Sequence, residues 1–144
     1  MEGSEEAVDL QGAILIDISA ESNIDVELDF LEGLGHPVLV CHGPPHATLC
    51  PLVARTGEAA CEMVAAAHGV IFELDLDRPQ HRAILRRYQE TLAEDVPIRA
   101  VVGPQQRARY QDILEGVSVW ERQPSIGELD GFAAEVEAYD RIAP

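Results

Sequence analysis

Ala13-Ile14-Leu15-Ile16, closed by Asp17, decides how the chain folds. A continuous apolar run without alternation needs cover on both faces, the condition of a strand inside a parallel sheet. Downstream, Glu21 to Leu34 sets Ile24, Leu28 and Leu31 at i, i+4 and i+7, with Glu21, Asp25 and Asp29 on another stripe. This spacing predicts an amphipathic helix that Gly33 and Gly35 stop. Pro37 to Cys41 is a second apolar run, ended by the breakers Gly43-Pro44-Pro45-His46. Glu58 to Ala67 reads as a short helix, His68-Gly69 as its stop, and Val70 to Asp75 as a central strand rich in β-branched and aromatic residues. The pattern repeats: a helix over Gln80–Leu92 with Ile84, Leu85, Tyr88 and Leu92 on one face, a strand over Pro97–Val102, a helix over Gln105–Leu114 and a strand over Val117–Trp120. The last helix opens with Ser125-Ile126-Gly127-Glu128, a capping-box spacing, and buries Leu129, Phe132, Ala133 and Val136. Strands alternating with helices predict an open, doubly wound parallel sheet, because right-handed crossovers place helices on both faces.

Composition narrows the function. The 144 residues include 26 Asp and Glu against 10 basic residues, all of them Arg, for a net charge of −16. Clustered Lys and Arg are what phosphate backbones require, so nucleic acid is excluded as an expected partner. A hydrophobic share of 47% is that of a globular chain. No run is apolar and long enough to span a bilayer, and Met1-Glu2-Gly3-Ser4-Glu5-Glu6 is acidic where a secretory signal is basic, so no membrane is expected and the location read is cytoplasmic. Cys41, Cys50 and Cys61 are then expected as thiols rather than disulfides. Residues 1–11 read as an acidic flexible arm and 12–144 as one domain.

In doubly wound sheets the chemistry gathers at the carboxyl ends of the strands, here Asp17, Cys41, Asp75, Val102 and Gln123. Three stretches, Ile14-Leu15-Ile16-Asp17-Ile18-Ser19, Phe30 to Val38, and Leu74-Asp75-Leu76-Asp77-Arg78-Pro79, resemble the receiver domains of two-component response regulators. With the order of the elements, the resemblance covers about residues 12 to 141. It implies an α/β, flavodoxin-like or receiver-type five-stranded parallel sheet in order 2-1-3-4-5. It further implies Asp75 as phospho-acceptor beside Asp17, and Trp120 as the switch aromatic. Asp77, two residues on, where the family commonly offers only a backbone carbonyl, reads from this sequence as a further carboxylate of an acidic pocket for Mg²⁺. Partners implied are a sensor kinase or downstream effector in a phosphorelay, or a second copy of the chain as a homodimer, met through residues 105–138.

The same resemblance exposes departures. Ile18 stands where a second metal-holding acid is expected, Val102 where a hydroxyl is, and Gln123 where a Lys is. A hydrocarbon cannot ligate a hard cation, so Mg²⁺ is expected to bind weakly and no other cofactor is implied. The expectation is an atypical single-domain response-regulator-like signalling protein without enzymatic activity, ending at Pro144 with no fused output domain. It acts through protein–protein interaction, without conventional Asp phosphorylation. Two alternatives stay open: a conventional receiver phosphorylated on Asp75, and a metal or redox sensor formed by Cys41, His42, His46, Cys50 and Cys61. Glu73 and Arg99, each interrupting an apolar strand, are expected to pair with one another. Arg78, Arg82 and Arg86 recur at i, i+4 and i+8, a stripe that would suit an acidic partner.

Overall fold

A computed structural model of the chain describes residues 13–18, 24–42, 67–92 and 95–142. In chain order its elements are β1 (Ala13–Ile18), α1 (Asp25–Gly33), β2 (Val38–Cys41), β3 (Ala67–Glu73), α2 (Pro79–Thr91), β4 (Ile98–Val101), α3 (Pro104–Arg109), α4 (Gln111–Leu114), β5 (Ser118–Trp120) and α5 (Ile126–Ile142). The five strands form one sheet in order β2-β1-β3-β4-β5, and every neighbouring pair runs parallel. This is the flavodoxin-like α/β architecture. All six residues of β1 are buried, as the apolar run Ala13–Ile16 inside such a sheet must be, and Asp17 is buried with them.

Alternation along the strands sorts two cores. Ile14, Ile16, Ile18 and Ile71 pack with Leu31 of α1 and with Leu129, Phe132, Ala133 and Val136 of α5. Leu15, Val70, Phe72 and Ala100 pack on the other side with Ile84, Leu85 and Tyr88 of α2 and with Ile113 and Leu114 of α4. α1 and α2 thus lie on opposite faces. The capping box forms: the Glu128 amide donates to Ser125 Oγ at 3.1 Å, and the Ser125 amide donates to Glu128 Oε1 at 2.9 Å.

Several boundaries differ from the sequence reading; α1 begins at Asp25, with Ile24 as its N-cap residue, rather than at Glu21. His68 and Gly69 lie inside β3 rather than before it. Gly69 suits that place because a Cβ there would sit 2.6 Å from Val136 Cγ2 and 3.1 Å from the Phe132 ring, so its absence lets α5 lie close on the strand. β3 also ends at Glu73, two residues short of Asp75. The helix expected over 105–114 is broken at Tyr110, which leaves helical geometry at φ −114° and ψ 36°. The arm over 1–11, and the helix over 58–67 except Ala67, fall outside the described residues. Among the described residues no helix is long and apolar enough to cross a membrane.

Candidate functional site

The carboxyl edge of the sheet is built around the segment that joins β3 to α2. Leu74 and Leu76 point inward and are buried, which leaves Asp75 and Asp77 exposed between them. Asp75 Oδ1 accepts the Asp77 amide at 2.9 Å, the side-chain-to-backbone turn that Asp favours. The Asp75 carbonyl accepts the Arg78 amide at 3.1 Å and the His81 Nδ1–H at 2.8 Å. Burial holds the His81 imidazole below its usual pKa. Arg82 closes the turn by donating to the Leu76 carbonyl at 2.8 Å, and its guanidinium lies 5.2 Å from the Tyr110 ring centroid. The Arg stripe is therefore not a uniform docking row, since Arg82 works inside the turn.

A second element braces this turn. Gln106 of α3 donates from Nε2 to Asp75 Oδ1 at 2.7 Å and to Asp77 Oδ2 at 3.1 Å, while its Oε1 accepts the Leu76 amide at 3.3 Å. Asp77 Oδ1 accepts from the Tyr110 hydroxyl and from Arg109 Nη1, each at 2.7 Å. These donors keep the Asp77 carboxyl below the ordinary range. Gln106, Arg109 and Tyr110 stand at i, i+3 and i+4, one helical face turned on one loop. The sequence reading singled out none of the three, and it took Arg82 for part of a docking stripe rather than for a brace of this turn. Beside the brace lies an open cleft of about 670 Å³ lined by Glu73, Asp75, Val102, Gly103, Gln105 and Gln106. A cavity of about 810 Å³, lined by Val96, Pro97, Gly116 and Tyr139 among others, sits instead near the amino ends of β4 and β5.

Glu73, the last residue of β3, accepts a hydrogen bond from Gln123. Burial raises its carboxyl above the usual range against that bond, and the charge of Glu27 adds to the rise. The expected Glu73–Arg99 pair does not form. The two side chains share a sheet face, but Ile71 is the register partner of Arg99, so Glu73 lies two residues farther along. Arg99 turns to Glu135 of α5 and lies 5.6 and 5.4 Å from the Trp120 and Phe132 ring centroids. Trp120 is half-buried and meets Phe132 edge-to-face at 6.1 Å, a packed anchor of the α5 side. Arg122 turns to Glu128, at 2.7 and 3.3 Å.

Asp17, unlike the exposed Asp75 and Asp77, is turned into the core. It is 1% exposed and accepts the Tyr88 hydroxyl and the Cys41 thiol. Its register partner on β3 is Phe72, one residue before the end of that strand. Burial lifts its pKa to about 7 in spite of both donors. Ile18 and Val102 are buried in opposite cores. His42 is exposed and donates from Nδ1 to the Ile18 carbonyl at 3.1 Å. His46, Cys50 and Cys61 lie outside the described residues. Among the described residues no three His, Cys, Asp or Glu side chains group as a metal site.

The edge therefore presents Glu73, Asp75 and Asp77, each already engaged by a donor of the same chain. Neither protein-family models nor curated proteins give a match to this sequence.

Proposed function

We propose that this chain is an atypical receiver-like signalling domain of the cytoplasm that works by binding another protein, without enzymatic activity and without Mg²⁺-dependent phosphorylation of Asp75. The observation that supports this most is Gln106, whose one amide group bridges Asp75 and Asp77. In phosphoryl transfer to a carboxylate, a divalent cation must neutralise the acceptor and the incoming group together. Here a neutral amide and the Arg109 guanidinium engage the acids, and Val102 supplies hydrocarbon where a hydroxyl would hold a phosphoryl oxygen. Gln123 adds a second amide on Glu73. An edge whose acids are satisfied from within presents a fixed surface, which suits recognition by a partner protein.

The test is a titration of the protein with Mg²⁺ and beryllofluoride, followed by Trp120 fluorescence, beside incubation with acetyl phosphate and Mg²⁺. The expected result is no saturable response at micromolar Mg²⁺ and no acid-labile adduct on Asp75. An adduct on Asp75 would overturn the reading in favour of a conventional receiver. For the binding face, a photo-crosslinker placed at Ser118 on the β5 edge is expected to capture a partner or a second copy, whereas one at Glu32 on α1 is not.

A further inference from the structure

The arginines divide by what they touch. Arg87, Arg99, Arg107, Arg109 and Arg122 each pair with a carboxylate of the chain. Arg78, Arg82 and Arg86 pair with no carboxylate among the described residues, although acids outnumber basic residues by 26 to 10. The three follow one another at i, i+4 and i+8 from the cap of α2 into the helix, a spacing of about 6 Å along the axis. α2 itself carries one acid, Glu90, and Arg87 takes it. A basic row thus stands on a chain whose net charge is −16.

The row runs along the side of α2 that meets residues 110–114. Arg82 reaches the Tyr110 hydroxyl at 3.4 Å, and Gln89 donates to the Ile113 carbonyl at 2.9 Å. Arg109 lies 5.9 Å from the Tyr110 ring centroid and Arg82 5.2 Å, so one ring is shared by two guanidinium groups. Bracing the turn does not consume Arg82. Its bonds to the Leu76 and Asp77 carbonyls and to the Tyr110 hydroxyl all leave from Nη1, so Nη2 and Nε of the fork remain as donors. Those acceptors are neutral, and the charge of Arg82 is not cancelled. A guanidinium already fixed in place loses little freedom on taking a ligand, and the exposed Arg78 and Arg86 flank it.

We propose that this seam docks an acidic peptide segment of a partner protein, with its carboxylates on Arg78, Arg82 and Arg86. Alternate side chains of an extended chain recur about every 6–7 Å, which matches the row. The surface belongs to α2 and goes beyond the binding face placed above at the β5 edge. The chain as a whole repels acids, but at physiological salt charges are screened beyond about 8 Å, so the row governs what touches it.

The probe is a fluorescein-labelled peptide of alternating Glu and Ser, with Gln in place of every Glu as its control, followed by anisotropy at about 0.15 M salt. Saturable binding of the Glu peptide is expected, about tenfold or more tighter than that of the Gln peptide. Arg86→Glu exchanges one exposed attraction for a repulsion and is expected to weaken binding about fivefold. Arg141→Glu, at the end of α5 on the opposite face of the sheet, changes the net charge by the same amount and is expected to leave binding as it is. Both arginines are exposed, so neither change disturbs the core. Equal losses in the two variants, or no preference for the Glu peptide, overturn the proposal. Sedimentation of the protein alone separates a partner from a second copy, because α1 carries Asp25 and Asp29 at the same i, i+4 spacing. No self-association that Arg86→Glu abolishes is expected; finding one would seat α1 of a second copy in the seam and overturn the proposal.

Discussion

β1 sends Ile14, Ile16 and Ile18 into the layer under α1 and α5, and Leu15 and Asp17 into the layer under α2 and α4. The first layer takes only hydrocarbon from this strand, whereas the second takes a carboxyl group that is 1% exposed. Packing free energy does not respond to protons, but a buried acid does, because ionising it in a medium of low dielectric is costly. The two faces of one sheet should therefore fail under different stresses: the α5 face to changes of volume, the α2 face to changes of pH.

The largest expected effect lies on the α2 face. Asp17 has a folded pKa of about 7 against the ordinary 3.8, so between those values the folded chain holds a proton that the unfolded chain has released. Stability from this group is complete below the unfolded value and is lost as pH rises through the folded one. At about 1.4 kcal/mol per pKa unit the span amounts to about 4 kcal/mol. His81, whose pKa is lowered by burial, works in the opposite sense, as do the depressed acids Asp77 and Glu128 at lower pH. The measurement is therefore a difference: urea midpoints from pH 5 to pH 8 for the native chain and for Asp17→Asn. The native midpoint is expected to fall relative to the variant as pH rises, and parallel curves would erase the contrast between the faces.

On the α5 face the expected weak point is Gly69. A Cβ there would enter to 2.6 Å of Val136 and 3.1 Å of Phe132, and both partners are buried without room to retreat. Overpacking of this kind costs about 1–3 kcal/mol. Gly69→Ala is expected to lower the melting temperature by several degrees, equally at pH 5.5 and pH 8, because nothing in the clash titrates. A pH-dependent loss would mean that α5 is held instead by its ion pairs, among them His36–Glu137 and His68–Asp140.

The same contrast explains what could be read in advance. Leu129, Phe132, Ala133 and Val136 recur at helical spacing and bury as read, because periodicity reports which face of an element meets the core. The Ser125–Glu128 cap, being local, was equally legible. The placement of Asp17 was half legible: its parity with Leu15 points it under α2, and Tyr88 lies on the buried stripe of the helix that covers it. Their meeting across 71 positions of sequence leaves no mark in either segment. Glu73 and Arg99 show the limit of strand-order arguments, since adjacent strands and a shared face still leave the register open. Gly69 read as a breaker because a glycine signals a turn and a close helix approach alike. Gln106 carries no chemical signature at all, because an amide on a polar helix face is ordinary until the loop it meets is known.

The smallest expected effect on stability, and the sharpest on the edge, belongs to Gln106. Its bonds to Asp75 and Asp77 are exposed, and exposed hydrogen bonds contribute little because water replaces them, so Gln106→Ala is expected to cost about 1 kcal/mol or less. The consequence for ions is different. With the amide in place, Asp75 Oδ1 already accepts both Gln106 Nε2 and the Asp77 amide, and a cation must displace a donor to reach it. Without it, Asp75 and Asp77 face each other with Arg109 and Tyr110 held on Asp77 Oδ1 alone, leaving oxygen ligands for a divalent ion. Calorimetric titration is expected to show Mg²⁺ binding several-fold tighter in Gln106→Ala than in the native chain, and tighter again in Gln106→Glu, which adds a third carboxylate. Equal affinity in all three would mean that the brace merely holds the loop, and that the missing hydroxyl at Val102 and the hydrocarbon at Ile18 are what keep the ion away.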